Sequence, residues 1–506
     1  MLLLSLACVD PDDPFEDTRD TAVWSANPPQ LVPQPANLSL EDGAFSLQAD
    51  MRIGATGEAA LVAEQLANFL RIPTCFALPV AATGDITLTL ADGLPSEAYA
   101  IDVGPDGVQL TASDAAGLFY AAQTLRQLLP VAAFGPPSEA GWIAPAVHIE
   151  DAPQFEWRGA MIDVARHFFT VAEIERQVDL LAMHKLNRLH LHLTDDQGWR
   201  IEIKSWPNLA LVGGATEVGG GPGGYYTQDE FAGLVAYAAE RHVVIVPEID
   251  FPGHANAALA SYPELNESGV AAPVYTGEGV ISTPLWLDGP ATATFVSDVW
   301  SEVAALSPDA VVHIGGDEAI DTSAADYSTF IEFLQAAVGL DDKVLLGWDE
   351  IGTVPLDAPF FAQHWYDADN ARGAVVRGAR LISSPAEHAY LDMVQSPDAA
   401  YGQVWAGIVG TEAAYDWDPV LAGVSESDVA GVEGCAWTEY IDDQSKLDYM
   451  LWPRLSALSE VGWTPQADRD WVSFADRLAW HGGRLDALGV EYYATDEVNW
   501  VSKAAE

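Results

Sequence analysis

Acidic, imidazole and indole side chains recur in this 506-residue chain at the ends of short apolar runs, where a backbone element would stop and a pocket could begin. The runs end in Asp163-Val-Ala-Arg166-His167, His190-Leu-His192-Leu-Thr-Asp195-Asp196, Pro247-Glu248-Ile-Asp250-Phe-Pro-Gly-His254 and His313-Ile-Gly-Gly-Asp317-Glu318. Further along they end in Gly347-Trp348-Asp349-Glu350, Gln363-His364-Trp365-Tyr366 and Cys435-Ala-Trp437-Thr-Glu439. Indoles beside carboxylates suit a sugar, whose flat apolar faces stack on rings while its hydroxyls take hydrogen bonds. Glycoside hydrolysis usually needs two carboxyls facing each other, about 5 to 5.5 Å apart for retention or about 6.5 to 9.5 Å for inversion. Asp317 and Glu318 are chain neighbours and approach from one edge, so a different nucleophile is implied. A 2-acetamido oxygen of the substrate could serve, with Asp317 orienting the acetamido N–H and Glu318 protonating the leaving oxygen.

Positioning so many strand ends around one pocket requires a closed parallel sheet. Strands are predicted at Gly159–Val164, Arg188–Leu193, Val243–Ile249, Ala310–Ile314, Val344–Trp348, Pro359–Trp365, Arg380–Ser383 and Val432–Trp437. Helical spacing at Val171–His184, Gln228–Arg241, Thr292–Leu306 and Ser323–Val338 separates several of them. Runs apolar on both faces, alternating with helices about eight times, predict a (β/α)8 barrel over residues 151–495, with chemistry at its C-terminal strand ends. Residues 36–150 read as a small α+β domain. Strands are expected at Ser46–Ile53, Asp85–Ala91, Tyr99–Ile101 and Val108–Thr111, the last two joined by the turn Gly104-Pro-Asp-Gly107, with helices at Ala59–Leu70 and Ala115–Leu129.

Charge narrows the partners. Twenty-two Lys and Arg against 75 Asp and Glu leave a net charge of −53, which repels phosphate and excludes nucleic acid as a partner. Disorder is excluded as well, because 49% hydrophobic residues with 17 Trp, 16 Tyr and 17 Phe supply a core. Such acidity suits high salt or an external medium, with lineage-wide composition as the alternative reading. The start Met1-Leu-Leu-Leu-Ser-Leu-Ala-Cys8 resembles a bacterial lipoprotein signal, shorter than the norm and without a preceding cation. Export to the periplasm or the exterior is therefore expected, with Cys8 as the lipid-anchor candidate and residues 1–35 as signal and acidic tether. Cys75 and Cys435 are too few and too far apart for a disulfide framework or a cysteine metal site.

Several ordered motifs resemble family 20 glycoside hydrolases, the β-N-acetylhexosaminidases. They are Arg158-Gly-Ala-Met-Ile-Asp-Val-Ala-Arg-His-Phe-Phe169, His190 to Arg200, Gly219 to Thr227, Pro247 to His254, His313 to Glu318, Gly347 to Glu350 and Trp437-Thr-Glu439. The resemblance spans the whole barrel, and the α+β domain is similar to that family's accessory domain. It implies an exo-acting, retaining enzyme that releases terminal N-acetylglucosamine or N-acetylgalactosamine from chitin oligomers or glycoconjugates through an oxazolinium intermediate, with no cofactor and no metal. By resemblance Glu318 is the general acid/base and Asp317 the acetamido-positioning residue. Arg166 and Glu439 bind hydroxyls, while Trp348, Trp365 and Trp437 wall the pocket. Tyr390 takes the acetamido carbonyl, Asp392 a hydroxyl, and Trp405 stacks on the next sugar. Asp195 and His254 form a pair tuning Glu318. The chain departs from the family at Val394-Gln395, a difference expected to bear on the rim beyond the cleaved bond. Cys435 reads as buried packing.

Two other classes compete. The pair His190-Leu-His192 also occurs in metal-dependent amidohydrolases, with His254 and His313 as further candidate ligands, but the indoles and Asp317-Glu318 have no role there. A glycan-binding module without catalysis would not need Asp317, Glu318 and Arg166 intact.

Overall fold

A computed structural model gives the structure of the protein and describes residues 28–307 and 309–501. Cys8 and the acidic stretch Asp10 to Asp20 lie outside the described residues. Two compact units divide the chain.

The first unit contains residues 28–154, 183–185 and 463–501 of the described chain. Its strands are β1 (Asn37–Ser46), β2 (Ile53–Gly54), β3 (Val80–Ala81), β4 (Ile86–Leu90), β5 (Tyr99–Gly104), β6 (Gly107–Ala112) and β7 (Ile143–Asp151). They form one mixed sheet in the order β1-β7-β5-β6-β4-β2-β3. Alternation drives the burial: Tyr99, Ile101 and Val103 of β5 are buried, whereas Asp102 points to solvent. Helices Ala59–Thr74 and Ala115–Leu128 pack on the sheet, the second capped by Asp114, whose carboxylate accepts the Gly117 N–H at 2.8 Å.

Three expectations change in this unit. The predicted strand Ser46–Ile53 is instead mostly the turn between β1 and β2, closed by Met51 N–H donating to the Gln48 carbonyl at 3.2 Å. Pairing runs upstream of it, where β1 carries a register shift between Leu40 and Ala44 opposite β7. The end of the expected tether is anchored: Leu31 and Val32 are buried, and the Gln127 side chain bonds both the N–H and the carbonyl of Val32. An apolar pair among prolines is enough to recruit that segment to a core. The last helix, Trp471–Ala487, predicted within the barrel segment 151–495, clusters with this unit, with Arg477 donating to the Leu31 carbonyl and Arg484 to the Gln127 carbonyl. An amphipathic helix reads the same in sequence whichever core receives it.

The second unit, residues 155–182 and 186–462, is the barrel. Its strands are β8 (Trp157–Asp163), β9 (Arg188–His192), β10 (Val244–Glu248), β11 (Val311–His313), β12 (Val344–Trp348), β13 (Phe360–His364), β14 (Ala379–Ser383) and β15 (Val429–Ala436). All eight predicted runs are strands, and they close in the order β10-β11-β12-β13-β14-β15-β8-β9 with every neighbour parallel. Every residue of β8 and β15 is buried, which explains why these stretches read as continuously apolar rather than alternating. Trp157, Val246, Val311, Leu346, Ile382 and Ala430 pack together in the barrel core. A polar layer adjoins them, built on Glu433, which accepts from Trp157 Nε1 at 2.8 Å and Gln363 Nε2 at 2.9 Å and faces His190 Nδ1 at 2.9 Å. Among the described residues no helix is long and apolar enough to cross a membrane.

Candidate active site

The chain leaves β11 through Ile314-Gly315-Gly316 and turns sharply into Asp317 and Glu318. Gly315 has φ +67°, and a Cβ there would lie 1.7 Å from Asp250 Oδ1, so only glycine lets the β10 and β11 ends approach this closely. Asp250 Oδ1 accepts the Gly316 N–H at 3.0 Å and fixes the turn. Glu318 and His254 are themselves held at positive φ, +45° and +48°, a backbone conformation that costs an L-residue energy and that the surrounding turn imposes.

Asp317 is buried, and the Glu318 side chain is 38% exposed. Both face one atom: His254 Nε2 lies 3.7 Å from Asp317 Oδ2 and 3.5 Å from Glu318 Oε2. The other ring nitrogen of His254 sits 3.2 Å from Asp195 Oδ1. Asp195 in turn meets Arg166 Nη2 at 2.8 Å and His192 Nε2 at 2.8 Å. The predicted pair Asp195 and His254 thus links the catalytic-acid candidate Glu318 to Arg166.

Electrostatics follow from these contacts. The His254 contact, the largest influence, holds the Glu318 carboxyl below the usual range against the opposing effect of burial. Burial and then the neighbouring Asp250 carboxylate push Asp317 well up. Burial also works against a charged His254, yet Asp195, Asp317 and Asp250 outweigh it and hold the imidazolium. Asp250 is pushed up to about 7, chiefly by burial. Of the expected pair, His254 favours the ionised form of Glu318, whereas Asp195 opposes it directly and favours it only by holding the His254 imidazolium.

Arg166 is fixed on three further sides. It meets Asp163 Oδ2 at 3.3 Å, donates from Nε to Gln197 Oε1 at 3.1 Å, and lies 5.1 Å from the Trp437 ring centre. Trp348 and Trp437 pack at 5.7 Å, and Trp365 stacks on Tyr390 at 6.0 Å with 13° between planes. Trp405, 49% exposed, stands edge-on to Trp365 at 77° and to Tyr390 at 87°. Asp392 is buried with neither carboxylate oxygen hydrogen-bonded, and Gln403 Nε2 donates to Glu439 Oε2 at 3.4 Å. Every residue expected at the site lies in the barrel unit.

Sequence reasoning left the supports unassigned. Glu248, wholly buried, accepts from Trp348 Nε1 at 2.9 Å and faces His192 Nδ1 at 2.5 Å, so one carboxylate ties an indole of the pocket to the Asp195 chain. Asp349 Oδ2 accepts the backbone N–H groups of Trp365, Tyr366 and Asp367 at 3.0 to 3.1 Å, and Glu350 Oε2 accepts Trp365 Nε1 at 3.1 Å. Their strand-end positions were the available signal. At the expected rim position Gln395 is buried, with Nε2 donating to the Tyr449 carbonyl at 2.6 Å, and Val394 before it is half-buried. Cys435 is buried as expected, with Sγ 3.5 Å from Gln363 Nε2.

Comparison with known proteins identifies the family to which the chain belongs. Residues 28–152 match glycosyl hydrolase family 20, domain 2, and residues 155–326 and 321–466 match glycosyl hydrolase family 20, catalytic domain. A β-N-acetylhexosaminidase of Cellulomonas fimi is 42% identical over 422 residues, 82% of this chain and 84% of that protein. The structure is similar to a family 20 β-N-acetylhexosaminidase of Streptomyces coelicolor, with TM-score 0.91, 43% identity and coverage of 94% and 99% of the two chains. It is equally similar to the Streptomyces plicatus N-acetyl-β-hexosaminidase solved with Thio-NAglucal, with TM-score 0.91, 44% identity and coverage of 94% and 98%. The chain belongs to glycoside hydrolase family 20. It is a glycoside hydrolase of the β-N-acetylhexosaminidase type.

Proposed function

We propose that the protein removes terminal, non-reducing β-linked N-acetylglucosamine or N-acetylgalactosamine from chitin oligomers or glycoconjugates, with retention, by substrate-assisted catalysis. The observation that carries this reading is the convergence of Asp317 and Glu318 on one nitrogen of His254 from the same strand end, beside an indole-walled pocket. In the first step the acetamido carbonyl oxygen bonds to the anomeric carbon as the glycosidic C–O bond breaks. The Glu318 carboxyl gives its proton to the departing oxygen, and the Asp317 carboxylate accepts the acetamido N–H and balances the positive oxazolinium. In the second step the Glu318 carboxylate takes a proton from water, whose oxygen attacks the anomeric carbon and reopens the ring; two inversions leave the configuration retained. Arg166, Asp392 and Glu439 hold the sugar hydroxyls, Tyr390 the acetamido carbonyl, and Trp405 stacks on the next sugar.

The test is release of p-nitrophenol from its N-acetyl-β-glucosaminide, with a thiazoline mimic of the cyclised intermediate as inhibitor. Glu318→Gln should lower kcat by roughly 10²- to 10⁴-fold, the usual worth of a general acid. A wild type that turns over the substrate but is indifferent to the thiazoline would show that the acetamido group is not the nucleophile. The relative of Streptomyces plicatus has also been solved with the product N-acetylglucosamine, which supports the same sugar here.

A further inference from the structure

We infer that Asp250, His254 and Asp317 form a binding site for a divalent transition-metal ion of the zinc class, and that the ion acts there as an inhibitor by occupying the place of the acetamido group. The inference does not make the enzyme metal-dependent. It concerns what the unliganded catalytic pocket would capture.

Each of the three buried residues offers one donor atom, and these atoms lie within 4.8 Å of one another. Zinc bonds to nitrogen and oxygen at about 2.0 to 2.2 Å, which sets tetrahedral donors about 3.4 Å apart, a closure within reach of side-chain rotation. The pattern of satisfied and unsatisfied atoms points the same way. Among the described residues Asp250 Oδ2, His254 Nε2 and Asp317 Oδ1 are buried with no hydrogen-bond partner, His254 Nε2 facing only the carboxylates of Glu318 at 3.5 Å and Asp317 at 3.7 Å, whereas the opposite atoms are occupied: Asp250 Oδ1 by the Gly316 N–H at 3.0 Å and His254 Nδ1 by Asp195 at 3.2 Å. A carboxylate behind the far nitrogen of a histidine fixes the tautomer that presents Nε2 to a metal, the arrangement common behind zinc-bound histidines. An ion entering here displaces the Nε2 proton of the His254 imidazolium to solvent, and the two carboxylates with the imidazole so formed offset its double positive charge. One nitrogen and two oxygens in a closed corner suit zinc, cobalt or copper better than magnesium or calcium, which want six or more oxygens.

Among the described residues, three other groups of acids and histidines in the barrel are less suited. Glu248 in the group His190, Glu248 and His313 is already committed to Trp348 and His192, and all three residues are 0% exposed, so an ion has no way in. The remaining two groups both use Asp195, whose carboxylate is bonded to the Arg166 guanidinium, a fixed cation that repels a second one. The site at Asp317 alone opens toward the mouth, through Glu318 with its 38% exposed side chain, which is also within 3.5 Å of His254 Nε2 and stands ready as a fourth ligand. Because Asp317 cannot hold the ion and the acetamido N–H together, metal and amino sugar exclude each other. That exclusion rests on the proposed mode of sugar binding; the metal site itself does not.

The experiment uses the full chain, freed of metal by chelation and titrated with cobalt(II) chloride and, separately, zinc chloride. One ion per chain should bind, with the visible absorption of four-coordinate cobalt. N-Acetylglucosamine thiazoline should displace it, and zinc inhibition should be competitive with substrate. Asp250→Asn, confirmed folded by circular dichroism, should bind zinc at least tenfold more weakly, while His313→Gln should bind as wild type does. If Asp250→Asn does not fold, displacement in the wild type decides. Many weak sites without the four-coordinate band, full cobalt occupancy in thiazoline-saturated enzyme, or equal zinc affinity in folded Asp250→Asn would each overturn the site. A thiazoline that does not bind at all would overturn the mode of sugar binding and leave the cobalt spectrum and the Asp250→Asn comparison to judge the metal site.

Discussion

Replacing Gly315 by alanine tests whether the close approach of two strand ends aims the catalytic pair. The new Cβ would lie 1.7 Å from Asp250 Oδ1, 2.2 Å from its Cγ and 2.7 Å from its Cα, so rotating the Asp250 side chain cannot clear it and backbone must move by about 1 Å or more to restore contact near 3.5 Å. Three costs combine: about 1–2 kcal/mol for an L-residue at φ +67°, about 1–3 kcal/mol for overpacking, and about 1–3 kcal/mol for the lost bond between Gly316 N–H and Asp250. Asp317 and Glu318 directly follow this turn, and a 1 Å misplacement costs about 10²-fold in rate. The expected result is a fall of about 10²-fold in kcat/KM with p-nitrophenyl N-acetyl-β-glucosaminide, together with a lower melting temperature. Gly339→Ala, at a helix end where a Cβ meets nothing within 4 Å, is the control and should change neither. Activity within threefold of wild type and an unshifted melting curve for Gly315→Ala would refute the steric account of the pair's position.

Three shorter predictions concern charge and stacking. His254→Gln removes a cation that lowers both the Glu318 and the Asp317 carboxyls, so the high-pH limb of kcat/KM, where that pair loses its shared proton, should move to higher pH; an unmoved limb would dissociate His254 from the pair. Trp405→Ala removes an exposed ring at the mouth, and KM for chitin oligomers should rise about tenfold, the worth of roughly one aromatic stacking contact, with kcat changed less than twofold. His190, where Glu248 and Glu433 outweigh the effect of burial, is raised from 6.5 to about 9; a raised histidine stabilises fully below 6.5, so its contribution should fade as pH climbs through about 9. The melting temperature should drop between those pH values, and less so in His190→Gln.

The barrel was readable because its strands are buried on both faces and so appear as apolar runs, with the chemistry placed by one rule, at their C-terminal ends. What could not be read is what depends on closure. Glu433 appears in sequence as a lone acid inside Val429-Ala-Gly-Val-Glu-Gly-Cys-Ala436, yet its partners Trp157, His190 and Gln363 come from three other strands. Glu248, Asp349 and Gln197 are legible as polar residues near strand ends, but that they brace Trp348, the Trp365 loop and Arg166 is visible only in three dimensions. In the smaller unit the strand predicted at Ser46–Ile53 failed because alternation of polar and apolar residues survives in a turn that buries Leu47 and Ile53 without extending the strand through the residues between them. The same locality explains the unexpected burial of Leu31 and Val32: composition marks the segment as a linker, and only the distant Gln127 shows that it is held.

The charges in the site raise a question about its resting state. In the proposed mechanism Glu318 must be protonated to act as an acid and Asp317 ionised to receive the acetamido N–H, but the contacts favour the reverse: His254 lowers Glu318, while burial and Asp250 raise Asp317. In that mechanism sugar binding supplies what is missing. Covering Glu318 removes water from a carboxyl that is 38% exposed and raises its proton affinity, while an N–H arriving at Asp317 stabilises the ionised form there. His254 Nε2 lies 3.5 Å from one carboxyl and 3.7 Å from the other, so the proton can pass between them without leaving the pocket. Binding should therefore exchange no proton with solvent. Calorimetric titration with N-acetylglucosamine at one pH, in buffers of differing ionisation enthalpy, should give the same apparent enthalpy in each. A slope corresponding to uptake of one proton would mean that Glu318 is charged from solvent and that Asp317 was ionised from the start.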